Sequence, residues 1–105
     1  MTYDNAFAAL ADPRRRAILE VLRESPRSVG ELAETQPVSR PAVSQHLKVL
    51  AAANLVGVEQ QGTRRLYYVE RQGLDGLRQW LDGFWDDALS AFEAEVARQV
   101  EKDDG

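Results

Sequence analysis

A chain of 105 residues has room for one small domain, and 44% hydrophobic with 29% charged residues is the composition of a globular protein, not a disordered one. With no cysteine it has no thiolate metal site, disulfide or cysteine nucleophile, and with His46 as its one histidine the metal sites and histidine-based triads lose most of their usual groups, so binding is favoured over catalysis. The net charge of −4 hides an asymmetry: residues 12–65 carry nine Lys or Arg against six acids, whereas residues 66–105 carry four against ten.

The first residues have no basic leader, and no apolar run approaches the roughly 18 residues that span a bilayer. A cytoplasmic protein without a membrane partner is expected. Ala6–Leu10 reads as a short apolar helix. Asp12-Pro13 then starts a second, with Asp as the N-cap and Pro in the first turn. Ala17, Ile18, Val21 and Leu22 recur at helical spacing up to Glu24, and Ser25-Pro26 ends the run.

Ser28-Val29-Gly30-Glu31 is a capping box, opening a short helix that closes near Thr35. A link of Gln36, Pro37 and Val38 leads to Ser39, a further N-cap, and to a helix over 40–53. Two such helices on a tight connection form a helix-turn-helix. At 100° per residue, Val43, Leu47, Leu50 and Ala51 of the second helix turn to the core, and Pro41, Ser44, Gln45, Lys48 and Ala52 turn away. No Asp or Glu occurs between Val38 and Ala53. A merely solvated helix would mix in acids for i,i+4 pairs, so an acid-free outward face suits phosphate.

Asn54 fits a C-terminal cap. Val56 and Val58 alternate in one extended run, Gln61-Gly62-Thr63 forms a turn, and Arg64 to Glu70 returns as a second strand, giving a β-hairpin with a basic tip. Gln72-Gly73 is expected to break the chain. A single helix over about 74–101 follows, about 40 Å long at 1.5 Å per residue. The fold expected is mainly α with a small β-hairpin: one domain, a winged helix-turn-helix with a DNA-binding core at about 12–70 and a long C-terminal dimerisation helix.

The stretch Phe7-Ala8-Ala9-Leu10-Ala11-Asp12-Pro13-Arg14-Arg15-Arg16-Ala17-Ile18-Leu19 resembles the opening of the ArsR family of bacterial repressors. Residues from Val38 to Leu50 resemble that family's recognition helix, and Leu55-Val56 with the Gly62–Tyr68 wing continues the likeness, which covers about residues 5–70. The resemblance implies a homodimer that represses transcription by occupying an operator. Metal-sensing members of the family carry cysteines near the first helix of the helix-turn-helix, or His with acids on the last helix. Here the corresponding stretch is Glu31-Leu32-Ala33-Glu34-Thr35, and the tail offers Asp82, Asp86, Asp87, Glu93 and Glu95 without a histidine. The chain is similar to the branch without the metal-sensing cysteines, and neither a metal nor another cofactor is expected.

The residues expected to meet DNA are Ser39, Arg40, Pro41, Ser44, Gln45, His46 and Lys48 on the second helix, with Arg64 and Arg65 on the hairpin. Gln45 can pair with adenine, Arg40 with guanine or phosphate, and the two serines with phosphate oxygens. His46 lies about 60° from the apolar centre, at the edge of the buried stripe, with its polar edge free for backbone or phosphate. Alternation along the strand sends Arg64 and Arg65 to opposite faces.

Leu77, Trp80, Leu81, Phe84, Trp85, Phe92 and Val96 form an apolar stripe that so small a core cannot cover, and pairing with a second copy covers it. The expected partners are a double-stranded DNA operator and a second copy of the chain. Two other readings stay open. One is a sensor that releases DNA when a small-molecule or protein effector binds. The other is a winged-helix protein-interaction module without DNA binding, which would place acids or large apolar residues at 41, 44, 45 and 48; this chain has neither there.

Overall fold

The computed structural model describes residues 2–104, with seven elements in chain order: α1 (Thr2–Leu10), α2 (Pro13–Glu24), α3 (Val29–Thr35), α4 (Arg40–Ala52), β1 (Val56–Gln61), β2 (Arg64–Val69) and α5 (Arg71–Asp104). The helix starts are where the capping residues put them. Asp12 accepts the Arg14 N–H at 2.8 Å, and Ser39 accepts that of Ala42 at 3.3 Å. Ser28 and Glu31 make both bonds of the capping box.

Two arginines of α2 close the end of α1. The Arg15 Nε donates to the Ala9 carbonyl at 2.6 Å, and Arg16 Nη1 donates to those of Leu10 and Ala11 at 2.7 and 3.2 Å. These carbonyls lack helical partners and carry the negative end of the helix dipole, so two cations there satisfy both needs. By sequence alone, arginines at these positions suit a DNA backbone or a solvated face equally; in the fold Arg15 and Arg16 are caps.

The core is a single cluster with Ile18 and Leu22 of α2, Leu32 of α3, Val43, Leu47 and Leu50 of α4, and Leu55 and Val56 at the start of the hairpin. Ala6 and Ala9 of α1 and Leu77 of α5 complete it. Ala51, expected on the inner face of α4, is exposed instead. Ala53, the C-cap residue just beyond α4, is buried.

At its end α4 forms a Schellman motif. The Asn54 N–H donates to Ala51 and the Leu55 N–H to Leu50, at 3.0 and 2.9 Å, with Asn54 left-handed at φ 58°. The hairpin pairs Val56 with Val69 through to Gln61 with Arg64 around a two-residue loop, where Gly62 takes φ 62°. On its other edge β2 exchanges two hydrogen bonds with Arg27, at 3.0 and 2.8 Å through Tyr67. This bridge, unmarked in the sequence, ties the hairpin to the segment before α3.

The break expected at Gln72-Gly73 does not occur, because both residues lie within the first turn of α5. Gly73 serves a close approach: its N–H donates to the Asn54 carbonyl at 2.8 Å, and a Cβ there would lie 2.5 Å from the Ala53 oxygen. α5 thereby docks onto the end of α4. It runs for 34 residues, about 51 Å. The molecule measures 74 × 25 × 24 Å, so the C-terminal half of α5 projects beyond the body.

Candidate nucleic-acid interface

α3 and α4 pack through Leu32, Val43 and Leu47, which orients the opposite face of α4 to solvent. Pro41, Gln45 and Lys48 are exposed and Ser44 is half-buried. Neither Gln45 nor Lys48 has a hydrogen bond or ion pair within the described residues. Their polar atoms are free for a partner.

Beside this face lies an open groove of about 480 Å³, bounded by the start of α3, by α4 and by the hairpin. It brings Arg40 and Ser44 of α4 together with Arg64 and Arg65 of β2. The Arg40 guanidinium lies over Gly30, where a Cβ would stand 2.9 Å from Nη2. Glycine at 30 therefore makes room for the charge. Arg64 pairs with Glu31 of α3, while Arg65 lies over the Tyr67 ring with its Cζ 5.9 Å from the centroid. The two arginines thus take different partners, and both still line the groove.

Glu31 is held below its usual value. The Ser28 backbone N–H is the main cause, followed by the Ser28 hydroxyl and the charge of Arg64. Asp12 is lowered chiefly by the Arg14 N–H, then by the charges of Arg15 and of His46. His46 is half-buried and does not line the groove. The Ser39 hydroxyl accepts one hydrogen bond in capping α4, which leaves its proton to donate.

The long helix carries its large apolar residues on two adjoining faces. Trp80 meets Phe7 of α1 edge-on at 5.2 Å and stacks on Phe84 at 5.4 Å. Leu81, Trp85, Phe92 and Val96 continue along the other, and Phe84, Trp85 and Phe92 are each more than 60% exposed. Leu89 and Val100 extend this surface, and Phe7 widens it; the sequence stripe omits all three. Leu77 sits in the protomer's own core at 8% exposure. Among the described residues no three His, Cys, Asp or Glu side chains converge, and no helix is long and apolar enough to cross a membrane.

A helix-turn-helix with an exposed, acid-free second helix, flanked by a basic hairpin, defines a winged-helix DNA-binding protein. Residues 12–58 match the family described as bacterial regulatory protein, arsR family. The chain is 56% identical over 89 residues to the HTH-type transcriptional regulator Rv2034 of Mycobacterium tuberculosis, covering 85% of this chain and 83% of that protein. It is 31% identical to the transcriptional repressor SdpR of Bacillus subtilis, over 77% of this chain and 90% of the relative. The solution structure of the homodimeric winged helix-turn-helix DNA-binding domain of Mb0332 from Mycobacterium bovis superposes with a TM-score of 0.66. It is 26% identical, with 82% of this chain and 80% of that one covered. The protein belongs to the ArsR family: it is a transcriptional regulator and not an enzyme.

Proposed function

We propose that this regulator is a repressor that binds an inverted-repeat operator as a homodimer, one α4 entering each of two successive major grooves. The observation that carries this reading is the solvent-facing set Pro41, Ser44, Gln45 and Lys48, with Arg40, Arg64 and Arg65 gathered along the adjoining groove. Gln45, in the first half of α4, reads a base edge. Lys48, a turn further on, meets phosphate. The wing arginines meet the flanking backbone or minor groove. Ser39 and Ser44 bond phosphate oxygens, and His46 supports the helix from its inner edge.

The second copy covers the apolar surface of α5. Trp80, Leu81, Phe84, Trp85, Phe92 and Val96 are the residues assigned to that interface; Leu77, already buried in the protomer, supports them from behind. The SdpR relative is named a repressor and the Mb0332 domain is named homodimeric, which supports both halves of the reading. The acidic tail then lies away from DNA. Repression is steric, by exclusion of polymerase, in the cytoplasm.

Selection of bound duplexes from a random library tests the proposal. An inverted repeat with half-site centres about 34–36 Å apart, or a multiple of that, is the expected product. Recovery of single, unrepeated sites, or of no sequence preference, would overturn it.

A further inference from the structure

An apolar pocket lies where α1, α2, the end of β2 and the start of α5 meet, outside the groove beside α4 and away from the Trp80–Phe84 stack. Leu10, Leu19, Val69 and Leu74 wall a space of about 290 Å³. That is at the small end of organic-ligand sites. At about 30 Å³ per atom it holds roughly ten non-hydrogen atoms. The four apolar walls themselves offer water no hydrogen bonds, which favours an organic guest there.

Charge is confined to the rim. Glu20 and Arg23 neutralise each other at 3.2 Å. Arg16 has no carboxylate partner among the described residues, and its Nη1 is fixed on the Leu10 and Ala11 carbonyls. Its Nε and Nη2 make no hydrogen bond there. A positioned guanidinium beside an apolar cavity repels an amine and goes unanswered by a hydrocarbon. A carboxylate on an apolar body satisfies both parts.

We propose that this pocket binds a small monocarboxylate with an apolar body of about eight carbons. The ligand's tail packs among the four apolar side chains and its carboxylate meets Arg16. Val69 closes the wing strand and Leu74 opens the long helix, so an occupant stiffens the joint between the two. The site is read without DNA and stands whether or not the operator reading does.

Octanoate is the probe, titrated into the full-length protein with octylamine as the charge control. Saturable methyl NMR shifts at Leu10, Leu19, Val69 and Leu74 are expected, together with a rise in Tm of about 5 °C at roughly tenfold excess over Kd. Octylamine should produce neither. Arg16→Met keeps the hydrocarbon stem and should weaken octanoate about tenfold. Because Arg16 also caps α1, a second variant is needed. Leu74→Trp places an indole across the pocket from a position 37% exposed, leaves the α1 caps intact, and should abolish the shifts. Unshifted methyls at the four wall residues, undiminished binding to Leu74→Trp, equal binding of octylamine, or shifts centred on Trp80 and Phe84 would each overturn the proposal.

Discussion

Arg64 on the wing meets Glu31 on the first helix of the helix-turn-helix, so one carboxylate both caps α3 and holds the hairpin against it. Glu31 accepts from the Ser28 N–H at 3.2 Å and from the Ser28 hydroxyl at 3.0 Å, and these bonds keep it ionised below its usual value of 4.5. A depressed carboxylate stabilises the fold fully above its unfolded pKa and loses that contribution as pH falls through its folded pKa. Glu31→Ala should therefore be less stable than the parent at neutral pH, through the lost capping box. The gap should shrink as the pH drops below 4.5. Denaturant melts of both proteins along a pH series measure it, and a constant gap would show that the ionised carboxylate contributes nothing.

Gln45 and Lys48 should separate by the kind of contact each makes. Gln45→Ala should cost about 1–3 kcal/mol on the selected operator and relax preference at one base pair per half-site. Lys48→Ala should weaken operator and scrambled duplex alike and lower the salt slope by about one per site. Neither should change the melting temperature, since both side chains face away from Val43, Leu47 and Leu50. Anisotropy titrations at several salt concentrations decide this, and wild-type binding by both variants would remove α4 as the reader.

On the long helix, exposure separates two kinds of apolar residue. Trp85→Asp or Phe92→Asp should leave the protomer folded and raise the dimer dissociation constant by at least about tenfold, because each aromatic forfeits roughly 1–2 kcal/mol of burial and a charge enters the interface. Leu77→Ala should instead destabilise the fold itself, by about 2–5 kcal/mol. Sedimentation velocity and thermal melts read the two effects separately. A fully dimeric Trp85→Asp protein would move the interface elsewhere.

Gly73→Ala should destabilise by about 1–3 kcal/mol, since its Cβ must push against the Ala53 carbonyl, 2.5 Å away. The same change would improve an ordinary helix by up to about 1 kcal/mol. The sign of the change in a urea melt therefore tests whether the contact between α5 and the end of α4 is real.

Much of this molecule was legible along the chain because its signals are local. Asp12, Ser28 and Ser39 fix three helix starts through bonds to N–H groups two or three residues away. The period of Val43, Leu47 and Leu50 sets the inner face of α4, and the absence of acids marks the outer one. Gly62 fixes the hairpin turn through its own φ. Such features depend on neighbours within one turn, so sequence order determines them.

What the chain could not declare depends on residues distant in sequence. Gly73 reads as a breaker until the Asn54 carbonyl is placed against it, and Arg15 and Arg16 read as charges for either DNA backbone or solvent until the end of α1 arrives beneath them. Ala51, on the apolar side by helix period, is exposed, because what the body of the domain covers, and not the period alone, decides burial at the end of α4. The Arg27–Tyr67 bridge joins segments 40 positions apart and leaves no periodic mark. The sequence by itself determined the elements, their caps and the chemistry of the outward helix face, because those follow from short-range bonding and periodicity. The tertiary structure alone decided which charges are caps, which apolar residues of α5 the protomer buries, and where Arg40, Arg64 and Arg65 converge, because each is a matter of packing between elements.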